Sequence, residues 1–587
     1  MERNYPFVTD YMGCYGWYDI QTQADQPPLY QCIAFNERNR VPLQMRSILQ
    51  WLHPDASPAE AHSRQPFEQE YVLLSGLLAY PLSQDLLGMI HASCLSGNYA
   101  RLGHLSGMFV GCVVTQEKLF LFRSVTSQET IFYRQQGTRV RWSTDPSDLV
   151  QEGGEAFDQD ALWQCCQGAM VFLYPQLKMI RPGSVVVIDA HGETTHRYEQ
   201  LVPLNLPRRT SLHKYAASTY HALLQAVQPY AISGRIGVML SGGIDSTLVL
   251  MALVDQGADV VAYHMDTDAP LAREASYAQE VCDRLAVPLV SLSSNEHDDY
   301  FSSEWEFPHP YNHVWFGRMQ QIAARIRQDG VSLLCNGCHG DMLFGPVRYG
   351  LSSIMLGDTS WQEKWTMLQG AFCSRWEWKR LIRSVMPSFS LLDEDWADAR
   401  QHVDFLVPRP AGVARLPDIQ VDLDFLPQEQ TADLTIWRPQ GIFFCSPLGD
   451  KALRQLALRL PDAYRLLPFQ GRFIDKPVLR LLLSERFSGQ IWRRERCPWL
   501  ISPDQQYCLS HPHVFANLLG TPETYLIRLH VVDSDQLKRV LADPVLLRRN
   551  AETLICSAMT ELFLRSQARR GNLSLQGEGA DVSLPTC

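Results

Sequence analysis

The sequence predicts an α+β protein of two domains, an antiparallel β-rich N-terminal half and a C-terminal half built as a parallel sheet with crossover helices. Three observations predict it. At 587 residues the chain is longer than one hydrophobic core sustains. Up to about residue 205 it runs as short extended segments separated by turns, and from about residue 210 helix-like and strand-like segments alternate. A content of 46% hydrophobic and 20% charged residues, without low-complexity tracts, is that of an ordinary folded protein.

In the first half, YVLLSGLLAY, MFVGCVVTQEKLFLFR, TIFYRQQGTRVRWSTD and SVVVIDAHGETTHRYEQ read as period-two strands, with hairpin bends at Gln136-Gly137 and His191-Gly192. LVPLNLPRRTS, with Pro203 and Pro207, reads as a linker and divides the chain into residues 1–205 and 210–587. Next, HKYAASTYHALLQAVQPYA reads as a helix, RIGVML as a buried strand, STLVLMALVDQG as a helix closed by Gly257, and DVVAYHM as a second strand. REASYAQEVCDRLAV, LVSLSS, FGRMQQIAARIRQDG and SLLCNG continue as helix, strand, helix and strand. Ligands of such sheets bind beyond the carboxyl ends of the strands, where LSGGIDST, YHMDTD and NGCHGD fall.

The net charge of -11 lacks the basic excess that a phosphate backbone demands, which disfavours nucleic acid as a partner. The opening MERNYPFVTDYMG has no basic stretch followed by an apolar core, and no later run reaches the length of a membrane span, so a cytoplasmic protein is expected. Fifteen scattered cysteines suit buried thiols in a reducing compartment. Cys335 and Cys338 form one C-x-x-C, but no second pair accompanies it, which disfavours a thiolate metal site.

The loop after the first parallel strand, Leu240 to Thr247, is glycine-rich and has no lysine, so it is not a Walker A loop. Gly242 and Gly243 permit a sharp turn that aims backbone N–H groups at an anion in front of a helix N-terminus, and Ser241, Ser246 and Thr247 add hydroxyls. A strand-to-helix turn with capping serines is the plainer alternative. Asp245 beside phosphate demands a cation and suits a Mg2+ ligand, with Asp341 in NGCHGDMLFG as the second carboxylate; Asp341 could equally cap a helix. His264 and Met265, ending the second strand, and Gly337, ending the fourth, complete the expected ATP site.

S-G-G-I-D-S at Ser241 to Ser246 resembles the PP-loop of the ATP pyrophosphatases, and its context resembles the asparagine synthetase branch, in which ATP is split to AMP and pyrophosphate. The resemblance runs along nearly the whole chain. NGCHGDMLFGP keeps Gly337, Asp341, Phe344 and Gly345 of the branch's later loop, and CSPLGDKALRQLALRLP is similar to its P-F-L-D helix. LSGMFVGCVV, LFLFR and RPGS resemble the branch's glutaminase domain, a class II glutamine amidotransferase-like, Ntn-hydrolase-like fold. That family works through a cysteine exposed at residue 2, where this chain has Glu2. With YMGCYGWYD laid against the family's opening, Met12 takes the nucleophile position and Cys14 is internal, so the resemblance implies an inactive glutaminase kept as a scaffold.

Without an ammonia source, the attacking amine must belong to the substrate or come from solution. The branch's beta-lactam synthetases and lasso peptide cyclases both use a substrate's own amine. AYHMDTDAPLAREASYAQEVCDRLAVPLVSL, with Glu274, Ala278 and Cys282, CNGCHGDMLFG, and DKPVLRLLLSERFSGQIWRRER are closer to the cyclases. The resemblance implies ATP and Mg2+ as cofactors, a precursor core peptide as substrate, and a leader peptidase and a leader-recognition protein as partners. The family's acid/base residue falls at Cys338, with His339 next to it. Its pyrophosphate-stabilising lysine aligns with Arg496, whose guanidinium could serve instead, with Arg494, Arg493, Lys476 and Glu274 as further candidates at the substrate or pyrophosphate. Glu304 to Phe316, rich in aromatics and proline, could face the substrate or be a packed loop. Residues 390–440 read as an insertion, and nothing assigns the tail beyond about 500. A beta-lactam or asparagine synthetase acting on a small amino acid is the alternative activity; an inactive scaffold and a tRNA-modifying enzyme are the remaining readings.

Overall fold

The computed structural model of the chain describes residues 14–19, 30–36, 41–42, 71–78, 84–115, 117–150, 157–168, 171–174, 176–206, 210–232, 234–265, 272–292, 301, 305–310, 316–345, 361–362, 364–365, 405–407, 432–461, 464–469, 472–494 and 503–573. The strands up to Arg197 are antiparallel. One sheet joins β1 (Cys14–Asp19), β2 (Tyr30–Asn36), β3 (Val41–Pro42), β7 (Phe132–Gln136), β8 (Arg139–Ser143) and β9 (Lys178–Met179) in the order β3-β2-β1-β8-β7-β9. The other joins β4 (Tyr71–Leu78), β5 (Gly107–Val114), β6 (Leu119–Arg123), β10 (Ser184–Asp189) and β11 (Gly192–Arg197) in the order β11-β10-β6-β5-β4. Gly137 at φ 59 and Gly192 at φ 124 sit at the two expected hairpin bends, in backbone conformations that favour glycine.

The inner strands β5, β6 and β10 of the second sheet are buried on both faces, while β11 at its edge is exposed. Val110, Leu121 and Val186 meet Tyr133, Val140 and Trp142 of the first sheet, while Phe109, Phe120 and Phe122 meet Leu87, Ile90 and Cys94 of α1 (Gln84–Ser96). Burial therefore runs unbroken along β6 and along all of β5 but its first residue, so the half-buried alternation expected there is absent.

In the second half, β12 (Arg235–Met239), β13 (Asp259–Met265), β14 (Leu289–Leu292), β15 (Leu333–Cys335) and β16 (Phe443–Cys445) form a parallel sheet in the order β14-β13-β12-β15-β16. β16 is a fifth strand of only three residues that no sequence period announces. One face packs Ile236, Val238 and Leu333 against α4 (Ile244–Asp255) and neighbouring helices; the other packs Val261, Tyr263 and Leu334 against α6 (Phe316–Gln328) and the terminal helix Ala551–Arg569. Gly257 at φ 74 and Gly330 at φ 79 close α4 and α6 as expected. Strand order reverses at β12, so the loops leaving β12 and β15 lie side by side, the position where doubly wound sheets bind ligands.

The halves interlock. Leu162, Cys165, Leu173 and Tyr174 share a core with the terminal helix, and the buried Arg438 guanidinium donates to both carboxylate oxygens of Glu129, at 3.1 and 2.9 Å, and to Ser75 Oγ at 3.0 Å. In the segment considered as substrate-facing, Phe307 and Phe316 are buried and packed on each other with ring centroids 4.7 Å apart, so these two belong to the core. Glu304 and the insertion segments 390–404 and 408–431 lie outside the described residues.

Candidate nucleotide site

The glycine-rich loop leaves β12 from a fixed point. Leu240 N–H donates to Tyr263 O at 2.7 Å, and Leu240 O lies 2.8 Å from Nδ1 of the buried His264. Gly242 then turns at φ 71, and a Cβ there would stand 2.8 Å from Glu274 O and 2.9 Å from Ala278 N of α5 (Ala272–Leu285), so only glycine fits. Gly243, its N–H held by Ser241 Oγ at 3.2 Å, is the N-cap of α4. The hydroxyls divide between two tasks. Thr247 is fully buried and donates to Gly243 O at 2.6 Å, which commits it to the turn. Ser246 is buried with its Oγ 3.3 Å from that of Ser241, and Ser241 is the exposed hydroxyl at the mouth.

The loop after β15 lies directly on the first turn of α4. A Cβ at Gly337 would stand 2.5 Å from Ser246 N, and one at Gly340 would overlap the Asp245 carboxylate, so two backbones approach where side chains would block them. Cys338 N–H donates to Asn336 Oδ1 at 3.0 Å and Cys338 O accepts from Ser446 Oγ at 2.6 Å, leaving its thiol side exposed. His339 adopts the left-handed conformation at φ 70, and its ring turns inward, beside Gly449 and Arg454, with both nitrogens buried and unbonded. Burial, reinforced by the Arg454 charge, pushes its pKa down to about 3. The structure thus separates the two acid/base candidates: Cys338 faces out, and His339 is a neutral packed ring. Cys335 points away from both, its Sγ 3.5 Å from Cys445 Sγ in the core, so the C-x-x-C thiols do not converge.

Lys476 closes the site from the other side. It is the N-cap of α9 (Pro477–Ser484), with its side chain 5% exposed. Its ammonium pairs with Asp245 Oδ2 and, at 2.8 Å, with Asp341 Oδ1, whose side chain is 57% exposed. The second oxygen of Asp245, Oδ1, is buried without a partner. Burial raises the Asp245 pKa against the pull of Lys476; desolvation of Lys476 is outweighed by its two carboxylates, which hold it charged.

Arg494 pins the glycine loop. Its guanidinium donates to Gly242 O, pairs with Glu274 Oε1 and lies over the Tyr277 ring, 4.8 Å from the centroid. Arg480, which the sequence reading did not single out, donates to the carbonyls of Trp492 at 2.7 Å and Arg494 at 2.8 Å and pairs with Asp475. Its signal was the Lys-Pro step that starts α9 and sets Arg480 one turn beyond Lys476. Met265 ends β13 beside the crevice, and Arg496 lies outside the described residues.

Among the described residues no three His, Cys, Asp or Glu side chains gather as a metal site. Two convergent carboxylates with an orphaned buried oxygen nevertheless fit Mg2+ that arrives with triphosphate oxygens in its shell. Residues 219–499 match the family model for asparagine synthase. Over that segment the chain is asparagine synthetase-like. The match is narrower than the near-full-length resemblance read from the sequence. The chain is 29% identical over 105 residues to the Microcin J25-processing protein McjC of Escherichia coli, covering 18% of this chain and 20% of that protein. It is 26% identical over 146 residues to the tRNA-specific 2-thiouridylase MnmA of Fervidobacterium nodosum, covering 20% and 41%. It thus spans less than half the length of these relatives. Among solved structures it is similar to the glutamine phosphoribosylpyrophosphate amidotransferase from B. subtilis, at TM-score 0.17 and 9% identity over 50% of this chain and 86% of that one. It is also similar to the U34-tRNA thiolase NcsA from Methanococcus maripaludis, at TM-score 0.24 and 9% identity over 58% and 88%. No helix among the described residues is long and apolar enough to cross a membrane.

Proposed function

We propose that the chain is an ATP-dependent, amide-bond-forming ligase of the asparagine synthetase type that closes an isopeptide ring in a lasso precursor peptide. The carrying observation is that Asp245 and Asp341, from two loops, reach one point beside the Ser241–Gly243 turn. The similarity to a protein named for microcin J25 processing supports a processed peptide as the substrate. In this reading residues 1–205 form an Ntn-hydrolase-like, inactive glutaminase scaffold, and residues 210–587 a PP-loop ATP pyrophosphatase domain. The enzyme works in the cytoplasm with a leader peptidase and a leader-recognition protein.

At the N-terminus of α4 the Gly242 N–H and the Ser241 hydroxyl face the outer phosphates, with the Gly243 N–H holding Ser241 Oγ in place. Mg2+ held by Asp245 and Asp341 would neutralise phosphate charge. An Asp or Glu side-chain carboxylate of the peptide attacks the α-phosphorus, pyrophosphate leaves, and an acyl-adenylate forms. The peptide's own N-terminal amine then attacks the acyl carbon, AMP leaves with its oxygen, and the amine gives up a proton. Folding of the peptide brings amine and adenylate together, so proximity supplies much of the second step.

The test is pyrophosphate release from Mg-ATP with two substrate pools. Leader-free peptides with a free N-terminal glycine and an internal Asp or Glu should drive release, yield a product lighter by one water, and lose both in Asp245→Asn. Release with free aspartate and ammonia or small beta-amino acids would move the enzyme to the synthetases instead.

A further inference from the structure

An ammonium already stands between the two carboxylates of the proposed metal site. The Lys476 backbone is fixed there: at φ 50 and ψ 47 its N–H donates to Arg465 O at 3.0 Å, and its carbonyl accepts from Leu479 and Arg480 N–H, each at 3.0 Å. Pro477 disfavours the right-handed helical region at residue 476, so the turn does not simply join α9. A left-handed lysine is uncommon and costs energy that its surroundings must repay. What repays it is the pairing of one buried cation with two acids that would otherwise repel each other across the gap between two loops.

Two carboxylates and one ammonium leave a single negative charge, a poor trap for a bare divalent ion. Triphosphate changes the balance by supplying oxygens to the metal and an alternative anion for the ammonium. We propose that Lys476 is a built-in counter-ion, which holds the Asp245 and Asp341 loops in register before nucleotide arrives and yields the carboxylates to a divalent cation only when that cation comes with triphosphate. The site thereby rejects free metal and stays assembled while empty of nucleotide. This rests on the metal–nucleotide reading of the preceding section.

The probe is Mn2+, titrated by electron paramagnetic resonance without and with a non-hydrolysable ATP analogue, on the full chain. Without nucleotide, Lys476→Met should bind Mn2+ about tenfold more tightly than wild type, because the competing charge is gone. Lys476→Arg, which keeps the charge, should match wild type, and adding Asp341→Asn to Lys476→Met should erase the gain. Mn2+ should also raise the melting temperature of Lys476→Met and leave that of wild type unchanged. Lys476→Gln gives the same reading should the methionine variant not fold. Unchanged or weaker Mn2+ binding in a folded Lys476→Met or Lys476→Gln overturns the counter-ion role. If wild type binds Mn2+ with nucleotide but the variants show no gain without it, only the counter-ion role is lost. Absence of Mn2+ binding in every protein, with and without nucleotide, overturns the metal–nucleotide reading along with it.

Discussion

Gly340 lies so close to Asp245 that a single methyl group on its α-carbon would overlap the Asp245 carboxylate. The contact joins the loop after β15 to the first turn of α4, and with it the two acids of the candidate site. Gly340→Ala should therefore push Asp245 out of reach of Lys476 and Asp341. We expect a stability loss of about 1–3 kcal/mol, typical of overpacking, together with loss of ATP-dependent Mn2+ binding. Chemical denaturation and metal titration on the same protein measure both. Near-normal metal binding would mean that the loops can part without cost to the site.

Arg494 holds Gly242 O and Glu274 at once, and the Gly242 carbonyl belongs to the turn that presents the N–H donors. Arg494→Lys keeps the charge but loses the planar guanidinium that places two nitrogens on two separate acceptors while lying over the Tyr277 ring. Nucleotide affinity should fall by about ten- to a hundredfold, since one charge-assisted hydrogen bond is worth roughly 1.5–3 kcal/mol. Glu274→Gln should cost less, and the double variant little more than Arg494→Lys alone, because both act on one latch. Calorimetry with the ATP analogue reads all three affinities; strict additivity would refute a shared role.

The separation of Cys338 from His339 shows where sequence stops informing. Buried parallel strands are written as apolar runs, and the glycines at 242, 257 and 330 mark positions that backbone geometry dictates, so the sheet and its loops were legible. The ring of His339 faces inward because residue 339 is left-handed, and no local pattern announces that. The pairing of Lys476 with Asp245 spans 231 residues, and only the packing of α9 on α4 and on the helix Leu212–Val227 brings it about. β16 was missed because three residues carry no period.

A buried neutral histidine makes stability depend on pH in one direction. Below its ordinary value of 6.5 the unfolded chain takes up a proton that folded His339, with its pKa near about 3, refuses. Stability should therefore be fully present above about pH 6.5 and fall as pH drops toward 3. His309, pushed down to about 4 by burial, adds in the same sense. His339→Asn tolerates the left-handed backbone and removes the titrating group. Its denaturation midpoint should fall less than that of wild type between neutral pH and about pH 5, whereas an equal fall would show that His339 titrates normally.

Arg438 and Glu129 form the buried ion pair that joins the antiparallel half to the approach to β16, and their side chains are only 5% and 4% exposed. Removing one partner strands the other charge away from water. Arg438→Met or Glu129→Gln should each destabilise the chain by about 3–5 kcal/mol, the usual cost of an uncompensated buried charge. Ser75 Oγ, which donates to Glu129 at 3.0 and 3.2 Å, cannot neutralise a carboxylate by itself. Replacing both together, as Arg438→Met with Glu129→Leu, removes both desolvation costs and should recover most of the loss, because a buried pair is often no better than an apolar one. If the double variant is as unstable as the singles, the pair is needed for the fit between the halves and not merely for its charge balance. Following tryptophan fluorescence and nucleotide binding through the same denaturation then shows whether the parallel sheet keeps its site once the antiparallel half has let go.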